Sequence, residues 1–423
     1  MSRFWMSYGS CQERCIVNKD NIRLTPFFMI MVVFYLAANF VHPVTPTLIQ
    51  NLNLHDYMFG VALAAMMLTN FLVSPFWGKL NNRVNSRCII LVCCIGYGLS
   101  QLGFAFGTTE FQIIAARMMA GLFTGGIFVN ILTYIAKVSP EQKRGKNLTI
   151  SATISSVASA FGYLLGGIIG EFSIRGTFVA QTVILCLSGV LFYCVGVDDV
   201  KTETRGQYSI SQLLKESNPF SAFLSCREFM TVSLFFLFSL CFLTNFSGTA
   251  FEQAFNYYLK AELQLGSSYN GSVKAVVGLL AFLSNTTLCM WIVSRTNTRK
   301  YLLLTVMGSS MFSLLIVLQE NVAAFFIFAV CLYITYYVSI PVLQDIIVKE
   351  AVSGQENLVL GFYNSFKSLG SVFGSFAAGA LYESSCKYPF ICVFLVYGLA
   401  VVFCIFSLKR RAPYYVKRIP VRE

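Results

Sequence analysis

A chain of 423 residues that is 56% hydrophobic and 12% charged, with 40 Phe, has too little polar surface to cover a water-soluble globule and belongs in lipid. Two His and scattered charges leave little material for a hydrolytic or metal centre, and 14 Cys are spread over the tail and the apolar runs without paired metal-ligand spacing. The thiols read as small apolar residues, and neither metal nor cofactor is expected.

Residues 1–25 carry Arg3, Arg14, Lys19 and Arg23 but no short apolar core with a small-residue cleavage site, so a cytoplasmic tail is expected there. Apolar runs follow at 27–50, 57–78, 88–108, 110–136, 147–170 and 176–197. A bilayer core of about 30 Å is crossed by roughly 20 helical residues, and each run is that long. The stretch Asp198 to Arg227, with Asp199, Lys201, Glu203, Arg205, Lys215 and Glu216, breaks the pattern. Six more runs follow at 229–259, 268–294, 300–318, 322–348, 357–383 and 388–408. The expected organisation is an N-terminal six-helix bundle (26–197), a cytoplasmic linker (198–227), a C-terminal six-helix bundle (228–408) and a cytoplasmic tail (409–423).

Lys and Arg set the orientation, because cytoplasmic loops carry the positive excess. With the N-terminus inside, cytoplasmic segments hold 25 of the 31 Lys and Arg, and external loops hold only Arg175, Lys260 and Lys387. Arg117, Lys274 and Lys367 fall inside predicted spans. Twelve spans in the cell membrane with both ends cytoplasmic are expected. The net charge of +12 then lies at the inner leaflet, where anionic lipid attracts it, and needs no nucleic-acid partner.

The chain repeats itself. Arg83-Val84-Asn85-Ser86-Arg87 returns 212 positions later as Arg295-Thr296-Asn297-Thr298-Arg299, each copy between the second and third runs of its half. Asn39-Phe40 is echoed by Asn245-Phe246 at an offset of 206, and Gly162-x-x-x-Gly166 by Gly370-x-x-x-Gly374 at 208. Small residues four apart let helix backbones approach, which makes spans five and eleven contact helices between or within the halves.

These features resemble the major facilitator superfamily over essentially the whole chain. Its loop signature, Gly-x-x-x-Asp-Arg-x-Gly-Arg-[Lys/Arg], is similar to Gly78-Lys79-Leu80-Asn81-Asn82-Arg83-Val84-Asn85-Ser86-Arg87, where Gly78, Arg83 and Arg87 match. Asn82 replaces the acid that in the family helps hold one conformational state, so that role is not expected of it. Asn85 replaces the second Gly and is expected to keep a left-handed turn. Arg117-x-x-x-Gly121 in span four resembles a signature of the drug/proton antiporter branch, as does Gly162-Tyr163-Leu164-Leu165-Gly166-Gly167 in span five, with Tyr163 where Pro is usual. The resemblance implies an all-α membrane protein: two six-helix pseudo-repeats around a central cavity lined mainly by spans one, four, seven and ten. Gly78, Arg83, Arg87, Gly162, Gly166, Gly167, Arg295 and Arg299 are the expected gating residues.

Spans three, six, nine and twelve hold no charge away from their ends, as lipid-facing helices should, because charge in lipid costs about 2.5 to 3.5 kcal/mol even on a lenient scale. Arg117 is a candidate substrate or proton-relay partner, and Lys367 a candidate for anionic substrates. Glu252 is the carboxylate well inside a cavity span and could carry a coupling proton or pair with Lys274; Asp345, near the cytoplasmic end of span ten, is a candidate for coupling or for a helix-end salt bridge. Asn39, His42, Asn130, Tyr134, Asn245, Gln253, Asn256, Tyr333, Tyr336, Tyr337 and Gln344 complete the candidate binding set, polar tips and aromatic bodies suiting an amphipathic ligand. Pro43 and Pro46 are expected to interrupt span one.

Two similar halves can rock about a site between them, so the expected activity is secondary transport of a small organic molecule, by proton-coupled efflux. The alternatives are uptake or exchange of an organic anion bound by Arg117 and Lys367, and a non-transporting sensor on the same fold. Charge rings or a filter for a channel are not visible. His42 and His55 lie at the outer end of span one without an evident partner for catalysis, and no nucleotide-phosphate loop is present. Small molecule, proton and membrane lipid are the expected partners, and the chain is expected to be a monomer.

Overall fold

The computed structural model describes residues 24–199, 217–220, 229–293, 297–351 and 355–409. Most of both tails and of the expected linker, and Arg295, lie outside the described residues. Among the described residues every regular element is a helix.

The first run is broken as its prolines require. Helix α1 (Thr25–Ala38) ends in a turn through Asn39, and a short helix Thr45–Asn51 resumes the path. Pro43 lacks an amide hydrogen and its ring collides with the carbonyl four residues back, whereas Pro46 sits in the first turn of the short helix, where no amide is needed. The remaining helices are α2 (Met58–Leu80), α3 (Ser86–Phe106), α4 (Glu110–Val138), α5 (Glu141–Phe172), α6 (Ile174–Val195), α7 (Val232–Ala261), α8 (Ser267–Ser284), α9 (Thr298–Leu318), α10 (Val322–Glu350), α11 (Glu356–Ser384) and α12 (Tyr388–Lys409). A π turn, Asn285–Cys289, and Met290–Val293 extend α8. Ten of these are long and apolar enough to cross a membrane.

Helices α1–α6 pack with one another, as do α7–α12, and the two bundles meet along α5 with α8 and α2 with α11. The internal repeat is visible at atomic level. A methyl group on Gly166 of α5 would stand 2.1 Å from the Phe40 carbonyl oxygen, and one on Gly374 of α11 2.2 Å from the equivalent Phe246 oxygen. Each contact helix is thus pressed onto the first span of its own half, at the turn after α1 and within α7, at positions where only a hydrogen fits. Neighbouring faces of the same helices join the halves: Gly167 meets Ser267 and Gly271 of α8, and Gly379 meets Tyr57 and Gly60 at the start of α2.

The apolar core shows which way the halves lean. One buried cluster runs through both bundles, with Val44, Phe59 and Phe178 beside Phe251, Tyr257 and Tyr382. Two others stay apart, one around Phe34, Ile90 and Tyr134, the other around Phe238, Val306 and Phe362. The bundles are therefore fused at the end carrying the 52–57 and 262–266 connections and separate at the other. Along the α8-facing side of α5, Gly167 and Ala160 are in contact with α8, whereas Ser156 and Thr153, further along that face, are exposed. Exposed Val92 and Leu99 on α3, Val183 and Leu187 on α6, Leu304 and Met311 on α9, and Leu395 and Leu399 on α12 form the apolar outer surface expected of those four helices.

Candidate functional site

Between the halves, just inside the fused end, is a chamber of about 30 Å³ lined by His42, Thr45 and Pro46, by Phe59, Ala62 and Leu63 of α2, by Arg117 of α4, by Gln253, Asn256 and Tyr257 of α7 and by Lys274 of α8. Both bundles contribute, and the cations come from different halves.

Arg117 is positioned by the start and the middle of its helix. Thr109 and Gln112 form a reciprocal capping box at the N-terminus of α4, fixing where the helix begins two turns before Arg117. One turn after it, Gly121 rests on the Met66 carbonyl of α2, where an added methyl would stand 2.1 Å away. The Arg-x-x-x-Gly pattern thus lays α4 against α2 and carries the guanidinium between them. Arg117 is 3% exposed; it donates to Thr45 Oγ1 at 3.3 Å and to Met66 Sδ at 3.8 Å, and its Cζ lies 3.8 Å from the centroid of the Phe104 ring. None of these partners is a carboxylate.

Glu252 and Lys274 form an ion pair with Nζ 3.3 Å from Oε1. Lys274 also faces the Tyr163 ring, 4.9 Å from its centroid, and His42 stands edge-on to the same ring at 5.6 Å. Tyr163 occupies the position where the antiporter signature has Pro, so this departure supplies an aromatic face to the site. Tyr333 and Tyr337 stack at 6.1 Å, and Tyr336 lies against Gly248 of α7. Asn256 is 5% exposed, and its Oδ1 has no hydrogen-bond partner among the described residues. A buried, unsatisfied acceptor beside two cations is a place for a ligand or water.

Of the residues expected at the site, His42, Arg117, Gln253 and Asn256 come together in the chamber, with Glu252 joined to it through Lys274. Others are placed elsewhere. Asn39 donates to Tyr35 O and to Ser159 Oγ of α5, and Asn245, 1% exposed, donates to Cys241 O. Asn130 is fully buried against Asn81 and Gly126 O, and the Tyr134 hydroxyl accepts from the Val197 amide. Gln344 is exposed and does not line the chamber; Asp345 pairs with Lys349 of its own helix at 2.6 Å. Lys367 is exposed, on the α11 surface between the α7-facing Gly370 and Gly374 and the α2-facing Ser375 and Gly379, and does not line the chamber with Arg117.

Two of the expected gating residues, Arg87 and Arg299, form matching clamps at the separated end, whereas Gly162, Gly166 and Gly167 pack α5 against Leu36, Phe40 and α8. Arg87 donates to Gly196 O at 3.1 Å and pairs with Asp198 at 2.8 Å; Arg299 donates to Ser407 O at 2.6 Å and pairs with Glu350. Asn85 adopts φ −57 and ψ 135, not the left-handed turn expected of it, because it stands at the N-cap position of α3 and its side chain donates to Asp198 instead. The acids of this clamp, Asp198 and Asp199, lie at the start of the stretch read as a linker, so sequence alone gave no reason to bring them back to the α2–α3 turn. Two other partners went unrecognised. His55 bonds Glu110 at 2.7 Å, and the Tyr257 hydroxyl donates to Asp56 across the halves. The seal is completed by Tyr57 N–H to Glu383 at 3.1 Å and by Ser268 N–H to Glu171 at 2.8 Å.

The comparisons agree with this architecture. The family model described as Major Facilitator Superfamily matches residues 27–353 and 259–423. Multidrug resistance protein 1 of Bacillus subtilis (strain 168) is 24% identical over 95% of this chain and 99% of its own length. Quinolone resistance protein NorA of Staphylococcus aureus (strain MRSA252) is 22% identical over 91% of this chain and 96% of its own. Among solved structures, a bacterial homolog of the human lysosomal transporter Spinster, in an inward-facing and unoccupied conformation, matches with a TM-score of 0.73 at 13% identity, covering 93% of this chain and 99% of that one.

Proposed function

The chain belongs to the Major Facilitator Superfamily, and from that premise we propose that it exports a small organic molecule by proton-coupled alternating access, with the residues around the chamber forming its binding site once the halves move apart there and with Glu252 as the proton-carrying carboxylate. The efflux part of this reading is supported by relatives that are multidrug and quinolone resistance proteins.

The observation that carries this reading is the Glu252–Lys274 pair placed between the halves, 3.3 Å apart, with the Lys274 side chain 9% and the Glu252 side chain 30% exposed. A carboxylate so placed can exchange a lysine, a proton and a ligand as the bundles move, which is what coupling requires. The positive excess supports a cytoplasmic separated end, and on this reading the conformation is open inward and sealed outward, with both termini cytoplasmic. Rocking must break the outer contacts, Tyr257 with Asp56 and Tyr57 with Glu383, and close the gap between Thr153 of α5 and α8.

The test is flux in proteoliposomes with and without an imposed pH gradient, for the parent and for Glu252→Gln. The reading expects gradient-driven flux in the parent and gradient-independent flux in the variant. Equal parent flux under both conditions would end the coupling proposal. A second reading, exchange of an organic anion, is favoured by one observation: among the described residues, buried Arg117 contacts a threonine, a methionine and a phenylalanine but no carboxylate. In that case Arg117→Ala abolishes anion flux and Glu252→Gln leaves it.

A further inference from the structure

Around Glu252 the fold has assembled what holds an organic ammonium group and then filled it with a side chain of its own. A carboxylate beside the face of a tyrosine attracts ammonium through both charge and the ring quadrupole, most strongly where water is excluded. Here the ammonium is Lys274, 3.3 Å from Glu252 Oε1 and 4.9 Å from the centre of the Tyr163 ring. Its helix cannot easily withdraw it. On one side of Lys274, Gly271 is seated on the Tyr163 carbonyl, and on the other Gly278 faces Ala160.

We infer that Lys274 is a specificity-determining residue: its tethered ammonium competes with organic cations for Glu252 and Tyr163, turning a site with the makings of a cation site toward neutral and anionic ligands. This rests on the transport reading above. A tethered group acts at an effective concentration of about millimolar, so a lipophilic amine at far lower concentration does not displace it. Charge balance points the same way. Arg117 and Lys274 against Glu252 leave one positive charge in excess at the chamber wall, and an incoming cation meets that excess as well as the competitor.

The experiment is equilibrium binding of tetraphenylphosphonium and tetraphenylborate, near-isosteric ions of opposite charge, to the purified full chain. The parent should bind the borate more tightly. Lys274→Gln should tighten phosphonium binding by about tenfold or more, since removing a unit charge at contact distance outweighs the ~1.4 kcal/mol that tenfold represents. Lys274→Arg should keep the parent's preference, and Glu252→Gln combined with Lys274→Gln should lose the gain. Lys274→Met is the second neutral variant should the glutamine one not fold. A change in the ratio of the two Kd values of less than about threefold in a folded neutral variant, well under the tenfold expected for a unit charge, would overturn the inference. So would a double variant that keeps the full gain, because the effect would then not pass through Glu252. Binding in detergent requires no translocation, so this result is separate from the flux test of the transport reading.

Discussion

Ser86 and Asp199 are joined twice, the Ser86 amide donating to Oδ1 at 2.8 Å and its hydroxyl to Oδ2 at 2.5 Å. Ser86 is the first residue of α3, so the carboxylate sits on the positive end of that helix, with Lys137 at 3.3 Å on its other side. The α2–α3 turn, which has Asn82 where its family carries an acid, thus receives its negative charge from the segment that follows α6, 113 positions on in sequence but at the same end of the bundle. The Asp199 side chain is fully buried. Asp199→Asn should therefore destabilise the protein by about 1–3 kcal/mol, the cost of leaving buried donors badly matched, read as a fall in Tm of the purified protein. Adding Asn82→Asp should not restore it, because Asn82 is exposed.

The glycine contacts predict matched effects in the two halves. Gly166→Ala and Gly374→Ala each force a methyl to within 2.1–2.2 Å of a backbone carbonyl oxygen. Each should cost about 1–3 kcal/mol as overpacking. Gly361→Ala, with nothing within 4 Å, should be neutral or stabilising by up to ~1 kcal/mol through helix propensity. Thermal unfolding of the three variants checks the set.

The fused end has a pH signature. Hydrogen-bonded to Glu110 and beside its charge, with smaller contributions from Glu383 and Asp56, the His55 imidazole titrates above its ordinary 6.5. A raised pKa means that the folded state favours the protonated ring. That contribution is fully present below the unfolded value and is lost as pH rises through the folded one. Tm of the parent should decline across that window relative to His55→Gln, whose profile should be flatter there. Parallel profiles would remove His55 from the seal.

The doubled architecture was readable because its signals are local or periodic. Apolar runs, the positive excess and the offsets of Arg87 and Arg299 or Gly166 and Gly374 survive in one dimension. The roles of individual polar residues were less readable. An asparagine inside a span can face a cavity or a neighbour at the same sequence cost, and Asn39 and Asn245 turn back onto carbonyls four residues earlier. Asn130 was hidden for the same reason. Lys274 stood out as a charge within a span, but its place over Tyr163 depends on α5 meeting α8. Asp199 and His55 lie in connecting segments, and their partners, Ser86 and Glu110, are 113 and 55 positions away.

On the proposed mechanism the halves must part at the fused end for transport to occur. Thr47 Oγ1 and Ser267 Oγ, from different halves, lie 3.2 Å apart there. In a background freed of the native cysteines, Thr47→Cys with Ser267→Cys should form a disulfide on oxidation, reduce flux in proteoliposomes to the protein-free level, and regain flux on reduction. Flux at the parent rate with the pair fully crosslinked would contradict the account.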